Sequence, residues 1–350
     1  MTEAPRIGIV GADVPRQLVL AAGATPVRLL GSWSGAYAPE TAELPGAVDA
    51  VACRILDALL AGAHDDLAGL IVCNDSAANL RVFYVLRVLA ERGRVPFPVH
   101  LLDAPRGGGA PRDRFVIRQY ERLVRFVVSL TGRPAEGAAL RDAAEREVAV
   151  GAALARMRDR RAAGRCSGQL ALAAYRAAAT LPPEHAIAVV DAAVDAAAGH
   201  PIFVTGSAHP DGSVYAAIES AGLVVAGEDH DTGDAAWIGD AVATDDAGEA
   251  IARLAAHHAQ RLPLAARSRS RERADALARR LDAGAPSGIL ALVRELDDAP
   301  AWDLAAQRAL AAARGIPLEE RVRIGPDVAR GVAADAAGAL AGRLTGEAAR

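Results

Sequence analysis

The feature that most constrains this chain is the alternation of short β-branched runs with alanine-rich helical stretches. Apolar residues recur at helical spacing in the intervals, for example at Val48, Val51, Ile55 and Leu59. Such alternation is typical of a parallel α/β sheet, in which crossover helices connect the strands. Strands are predicted at residues 6–10, 26–30, 67–73 and 98–103 in the first half, and at 202–205, 223–226 and 288–293 in the second.

An internal similarity groups these strands into two lobes. The strand and glycine at residues 7–11 lead into a helix that ends in Ala-Ala-Gly, and those at 202–206 lead into one that ends in Ser-Ala-Gly. Between the two groups, strand signals are absent and helical periodicity continues. We therefore predict two doubly wound, parallel-sheet α/β lobes, at residues 1–111 and 201–350, joined by a helical connecting section at 112–200.

Composition excludes several classes of function. The chain has 350 residues, enough for about two domains. Its 39 basic residues, all arginine, and 43 acidic residues give a net charge of −4, so binding to nucleic acid or anionic lipid is not expected. Neither a secretory signal pattern nor an uncharged apolar stretch of membrane-spanning length is present, and we expect a cytoplasmic protein.

Common nucleotide and hydrolase motifs are missing. The glycine turns at residues 8–11 and 206–212 do not match G-x-G-x-x-G, and neither a Walker A sequence nor a G-x-S-x-G elbow occurs. Glu228 and Asp229 do follow Gly206 by about twenty residues, the place of a ribose-binding acid in dinucleotide folds. Without a phosphate loop, however, the sequence does not favour nucleotide binding.

Polar residues after the predicted strands have two interpretations. Asp103 and Arg106 lie where open sheets place ligands, and the three glycines that follow could hold a phosphate or form a flexible turn. The adjacent pair His257 and His258 points in different directions on a helix and is not expected to chelate one ion. A polar cleft mouth, or solvated loop and capping groups, would account for the remaining set: His209, Asp229, His230, Asp231 and Asp234.

The three cysteines are too few for a disulfide scaffold or a zinc ribbon. Cys73 ends a predicted central strand, at the carboxyl edge where it could face a crevice. Cys53 lies on the preceding helix, one position from the apolar stripe. Both could equally be small buried hydrophobic residues. Cys166 lies in an arginine-rich loop, and its neighbours would lower the pKa of its thiol.

The order of several segments carries a family resemblance. The set comprises Val-Pro-Arg-Gln-Leu…Ala-Ala-Gly-Ala-Thr-Pro-Val-Arg-Leu at 14–29, Ala-Glu-Leu-Pro at 42–45, Cys53, the strand that ends at Cys73, Leu-Asp-Ala-Pro-Arg at 102–106, Leu-Thr-Gly at 130–132, Arg-Cys-Ser-Gly at 165–168, Val-Thr-Gly at 204–206 and Ile-Glu-Ser-Ala-Gly at 218–222. This order resembles the 2-hydroxyacyl-CoA dehydratase family, which also contains benzoyl-CoA reductase subunits. The resemblance covers nearly the whole chain.

The resemblance implies a [4Fe–4S] cluster and an acyl-CoA thioester between two flavodoxin-like lobes. In the family, three cysteines of a subunit hold the cluster, an ATP-dependent iron–sulfur activator supplies an electron, and the thioester reacts through a ketyl radical. Subunits work in pairs, which implies a heterodimer with a sister chain. Cys53 and Cys73 match the first two ligand positions, and thiolates are the usual cluster ligands.

The third ligand is missing from its expected place. It should follow the strand at 288–293, but residues 294–300 contain no cysteine. Asp297, Glu295 and a displaced Cys166 are the candidate substitutes. Two hypotheses follow: an iron–sulfur lyase subunit, or a cluster-free, non-catalytic partner of the same fold. A third is a two-lobed protein that binds a small molecule in the cleft between its lobes.

Overall fold

The computed structural model describes residues 4–348. Eight strands occur within these residues: β1 Arg6–Val10, β2 Thr25–Arg28, β3 Gly69–Cys73, β4 Val99–Leu102, β5 His200–Gly206, β6 Leu223–Glu228, β7 Gly288–Arg294 and β8 Leu318–Ile324. Each of the seven strands predicted from the sequence is present, with its ends shifted by no more than a few residues.

Within the same described residues, thirteen α-helices connect and cover the strands. They are α1 Arg16–Ala21, α2 Pro39–Glu43, α3 Ala50–Leu60, α4 Ala77–Glu91, α5 Ala110–Thr131, α6 Ala138–Ala162, α7 Gly168–Thr180, α8 Pro183–Asp191, α9 Ser213–Glu219, α10 Ala247–Gln260, α11 Ser270–Gly284, α12 Leu304–Ala313 and α13 Ala329–Ala348. The strand-free section predicted between the lobes contains α5 to α8. None of the helices in the described part of the chain combines the length and the apolar character needed to cross a bilayer.

The strands form two four-stranded sheets in which all neighbours are parallel. The first has the order β2-β1-β3-β4 and the second the order β6-β5-β7-β8. Both repeat the doubly wound order in which the chain reverses direction beside the first strand. The predicted two-lobed α/β fold is therefore confirmed.

Strand β8 was not predicted from the sequence. It reads Leu-Glu-Glu-Arg-Val-Arg-Ile and lies at the edge of the second sheet, where most of its side chains are only partly buried. Charged residues on an edge strand discourage pairing with other chains. The same charges remove the apolar pattern by which strands are recognised in a sequence.

The side chains of β3 point alternately into two hydrophobic cores, one on each face of the first sheet. Leu70 and Val72 pack with α3 and α4 on one face of the sheet. Ile71 and Cys73 pack on the other face, in a core to which α1 and α5 contribute. Successive side chains of a strand point to opposite faces, so this division follows directly from the sequence of β3.

The two lobes exchange segments. Helix α10 follows the first two strands of the second sheet, yet its residues Ile251 and Leu254 lie in the core of the first lobe, against α5. In the other direction, Trp33 follows β2 and is buried in the core of the second lobe. The predicted boundaries at residues 111 and 200 remain a prediction, and each lobe completes part of the other's core.

Candidate functional site

A cavity of about 730 Å³ lies between the carboxyl edges of the two sheets. The first lobe contributes Gly11, the first turn of α4 and the start of α3, and the second contributes Gly206 and the loops after β6 and β7. Parallel sheets place ligands at this edge because the loops after successive strands converge there. This interlobe cavity is therefore the candidate site.

Polar contacts across the cavity connect the lobes. The Arg28 guanidinium of β2 donates to the Asp231 carbonyl at 2.6 Å and to its carboxylate at 2.8 Å. Away from the cavity lining, Asp211 accepts from the Trp33 backbone N–H at 2.9 Å. These contacts join the loop after β6 and the segment before α9 to the first lobe.

Arg294, the last residue of β7, is a charged group of the cavity wall. Its guanidinium lies 3.5 Å from Asp49 of the first lobe and 3.4 Å from Asp297, donates to the Ala208 carbonyl, and sits over the Trp33 ring. The side chain is mostly buried. A guanidinium at the end of this central strand therefore bridges both lobes through ionic and cation–π contacts.

Asp75 is a carboxyl group of the cavity wall without an arginine partner among the described ion pairs. It accepts from the Ala12 backbone N–H at 2.6 Å and from the Asn79 amide at 2.7 Å. Burial, together with the nearby carboxylates of Asp13 and Asp231, raises the pKa of Asp75 to about 7. Gly11 allows this close approach, because a Cβ at its positive φ would lie 2.6 Å from the carboxylate.

The two cysteines that match family ligand positions lie in different cores. Cys73 is fully buried on the α1 and α5 face of the first sheet. Cys53 is on α3 and packs on the opposite face, with Val72. Burial raises the pKa of both thiols, helped by Asp75 for Cys73 and by Asp49 for Cys53. Both environments favour the neutral thiol over the thiolate that metals bind.

The three candidates for the third ligand do not join them. Cys166 is buried in a separate core with α6 and α7, where burial raises the pKa of its thiol to about 11. The sequence-based expectation of a lowered pKa is wrong, because the desolvation of the thiolate outweighs the attraction of its arginine neighbours. Asp297 accepts from the Ser207 hydroxyl at 2.7 Å and pairs with Arg294. Glu295 is exposed.

These residues do not fit a [4Fe–4S] cluster. Within residues 4–348, His, Cys, Asp and Glu side chains form no group of three that could hold a metal ion. A cluster needs several thiolates converging on one point, whereas Cys53 and Cys73 point to opposite faces of one sheet. Arg294, at the start of the stretch where the third ligand is expected, carries a guanidinium, which is not a cluster ligand, and is already paired with Asp49 and Asp297.

Other residues noted in the sequence serve mainly to hold the fold. Arg106 binds Asp13 at 3.2 Å in a buried ionic cluster outside the cavity. Asp234 forms ion pairs with Arg161 and Arg280 and does not line the cavity. Of the remaining residues, Asp229, His230 and Asp231 line the cavity. His209 and the α10 residues His257 and His258 do not.

The sequence reasoning missed Arg28, Asp49, Asp75 and Arg294 as site residues. Asp75 and Arg294 could have been found, since each follows or ends a predicted central strand. Arg28 and Asp49 could not, because their role depends on how the second lobe faces the first.

The chain matches the family model of the 2-hydroxyglutaryl-CoA dehydratase D-component over residues 12–318. The chain belongs to this family. The match covers both lobes and the helical section, which confirms the resemblance seen in the sequence. The family is generally associated with iron–sulfur clusters, with a partner component and with an activator. A search of curated proteins gives no match.

Proposed function

We propose that this family member is a cluster-free subunit of a 2-hydroxyacyl-CoA dehydratase-like enzyme, and that it works beside a cluster-bearing sister chain. The observation that carries the proposal is Arg294. The family resemblance puts a cluster thiolate after the strand predicted at 288–293, and the first residue there, Arg294, has a guanidinium paired with Asp49 and Asp297. A guanidinium cannot ligate iron, and the ionic bridge that it forms between the lobes occupies the place where the third thiolate is expected.

The neutral, buried thiols support the same conclusion. Cys53 and Cys73 serve their cores as small apolar residues, as their complete or nearly complete burial indicates. A subunit with these cores keeps the two lobes and the cavity between them. The redox step would then belong to the sister chain and the ATP-dependent activator, and the lyase activity to the complex in the cytoplasm.

A second candidate is an iron–sulfur subunit that itself acts on an acyl-CoA by the ketyl-radical mechanism. It is favoured by one observation, the position of Cys73 at the carboxyl end of β3 beside the cavity residues Gly11 and Asp75. It requires a rearrangement that turns Cys53 and Cys73 toward one point and recruits a third ligand.

Anaerobic reconstitution separates the two candidates. The chain is incubated with iron and sulfide, and its bound iron and acid-labile sulfide are compared with those of a Cys53→Ser, Cys73→Ser double variant. A cluster-free subunit shows no difference between the two proteins. Cluster uptake that the double variant loses would contradict the proposal and support the second candidate.

Co-expression tests the partnership. The tagged chain is produced together with a three-cysteine member of the same family from the same genome, and the two are analysed by affinity purification and size-exclusion chromatography. We expect one complex, with iron in proportion to the sister chain. Two separately eluting proteins would refute the role as a partner subunit.

A further inference from the structure

A second cavity, of about 160 Å³, adjoins the interlobe cavity. Val51, Arg294 and Leu296 belong to the walls of both cavities. A cavity of about 150 Å³ accepts a molecule the size of benzene, so the second cavity has room for an organic ligand of about six non-hydrogen atoms. The rest of its wall comes from both lobes and is mainly apolar or aromatic, with Trp33, Tyr37, Val48, Ala50, Ile324 and Pro326.

Arg54 gives this wall a positive charge that is not neutralised by a carboxylate. Its Nε donates to the Gly35 carbonyl at 2.7 Å, and its Nη1 donates to the Ser32 and Trp33 carbonyls at 3.2 and 3.0 Å. Within residues 4–348 no ion pair includes Arg54, and no hydrogen bond uses its Nη2. Because Arg54 is only 8% exposed, its two remaining N–H groups can bind an anion with little competition from water.

The other charged groups of the wall do not take this role. Arg294 is engaged, since its guanidinium lies 3.5 Å from Asp49 and 3.4 Å from Asp297. Glu295 is exposed to solvent and, in the described part of the chain, forms no ion pair with Arg54. Arg54 is therefore the group through which this cavity can bind a negative charge.

The segment at residues 32–35 holds the charged group and the aromatic wall together. Its carbonyls accept all three hydrogen bonds of Arg54, and it also carries Trp33. The Arg54 guanidinium lies over the Tyr37 ring, at 5.5 Å from its centroid, and that of Arg294 lies over the Trp33 ring at the same distance. The guanidinium is thus already fixed, so a ligand does not have to order it on binding.

We propose that the second cavity binds the anion of a short-chain monocarboxylic acid of about the size of butyrate. The carboxylate accepts from Nη2 of Arg54, and the hydrocarbon chain contacts the apolar wall that includes Val48 and Ile324. Because these two residues belong to different lobes, the bound acid stabilises the contact between the lobes. The inference goes beyond the proposed function, since it concerns a free acid and requires neither a cluster nor a sister chain.

Three small molecules test the chemistry on the unmodified full chain. Isothermal titration calorimetry at constant ionic strength compares butyrate with butyramide, which has the same shape without the charge, and with acetate, which lacks two methylene groups. We expect butyramide to bind at least tenfold more weakly than butyrate, because it cannot form the charged hydrogen bonds. Acetate should bind about tenfold more weakly, because it buries less apolar surface. Butyrate should also raise the midpoint of thermal unfolding.

Two arginine variants test the assignment to Arg54. We expect Arg54→Gln to weaken butyrate binding at least tenfold. The matched control is Arg81→Gln: Arg81 also donates to two backbone carbonyls, those of Pro45 and Ala47, but does not line this cavity. Its replacement should leave the affinity unchanged. If Arg54→Gln does not fold, the comparison of butyrate with butyramide still decides the question on the wild-type chain.

Several results would overturn the proposal. They are the absence of saturable butyrate binding up to about 10 mM, well above a millimolar dissociation constant, equal affinities for butyrate and butyramide, and an Arg54→Gln variant that binds butyrate as the wild type does. None of these results bears on iron uptake or on complex formation with a sister chain, so failure here is distinguishable from failure of the proposed function.

Discussion

Replacing His258 should make the stability of this protein less sensitive to mild acid. His258 lies on α10, fully buried where that helix packs on the first lobe. Its Nε2–H donates to the Ala104 carbonyl at 2.8 Å, and its Nδ1 accepts from Arg261 at 3.2 Å. Burial lowers the pKa of His258 to about 3, because the opposing effect of the Asp13 carboxylate is smaller than the cost of desolvating the charged ring.

The sign and size of the effect follow from proton linkage. Below pH 6.5 the unfolded chain protonates this histidine, while the folded chain keeps it neutral down to about pH 3. Stability is therefore lost as the pH falls through 6.5. Between pH 7.5 and pH 5 the loss from this one group is about 2 kcal/mol, from RT ln(1 + 10^1.5).

The assay is urea unfolding followed by circular dichroism, at pH 7.5 and pH 5, for the wild type and His258→Gln. The glutamine amide can replace the donor to Ala104 but does not titrate, so the variant should lose about 2 kcal/mol less than the wild type over this range. His185→Gln, at an exposed position of α8, is the matched control and should behave as the wild type does. Equal losses in wild type and His258→Gln would refute the reasoning.

Two further variants test how the helical section is attached to the second lobe. Arg161→Met leaves the buried carboxylate of Glu228 without its bidentate partner and should lower the free energy of unfolding by about 3–5 kcal/mol. The double variant Arg161→Met/Glu228→Gln should be less destabilised in the same urea titration, because it removes the unpaired charge. Equal stability of the single and double variants would contradict this reasoning. Gly151→Ala places a methyl group 2.8 Å from the Gly239 backbone and should destabilise the folded protein by about 1–3 kcal/mol in thermal unfolding. The control Gly338→Ala, on an open helix surface, should stabilise the folded protein by about 0.5–1 kcal/mol. A Gly151→Ala variant as stable as the wild type would show that α6 is not packed this closely against Gly239.

The sequence allowed the sheets to be predicted because their strands are buried on both faces. Runs such as Leu70–Val72 must be apolar throughout when helices cover both sides of a parallel sheet, and glycines mark where those strands end. Strand β8 lacks this signal because it lies at an edge. Strand prediction thus succeeds where burial requires an apolar sequence, and it fails at the edge strand, where exposure to solvent allows charged residues.

The site was harder to predict because its key contacts join distant parts of the chain. Arg28 and Asp231 are 203 positions apart, and Asp49 and Arg294 are 245 positions apart. Both pairings depend on the orientation of one lobe against the other. Cys53 illustrates how a match in chain position leaves the direction of a side chain open. Its position in the chain matches a family ligand, but the face of α3 on which it lies directs it into a core.

The exchange of segments between the lobes limits how far the cavity can open by a hinge motion. Trp33 of the first lobe lies in the core of the second, and α10 from the second half of the chain lies in the core of the first. Opening the cavity as a simple hinge would therefore expose both a buried indole and an apolar helix face, at a cost of several kcal/mol.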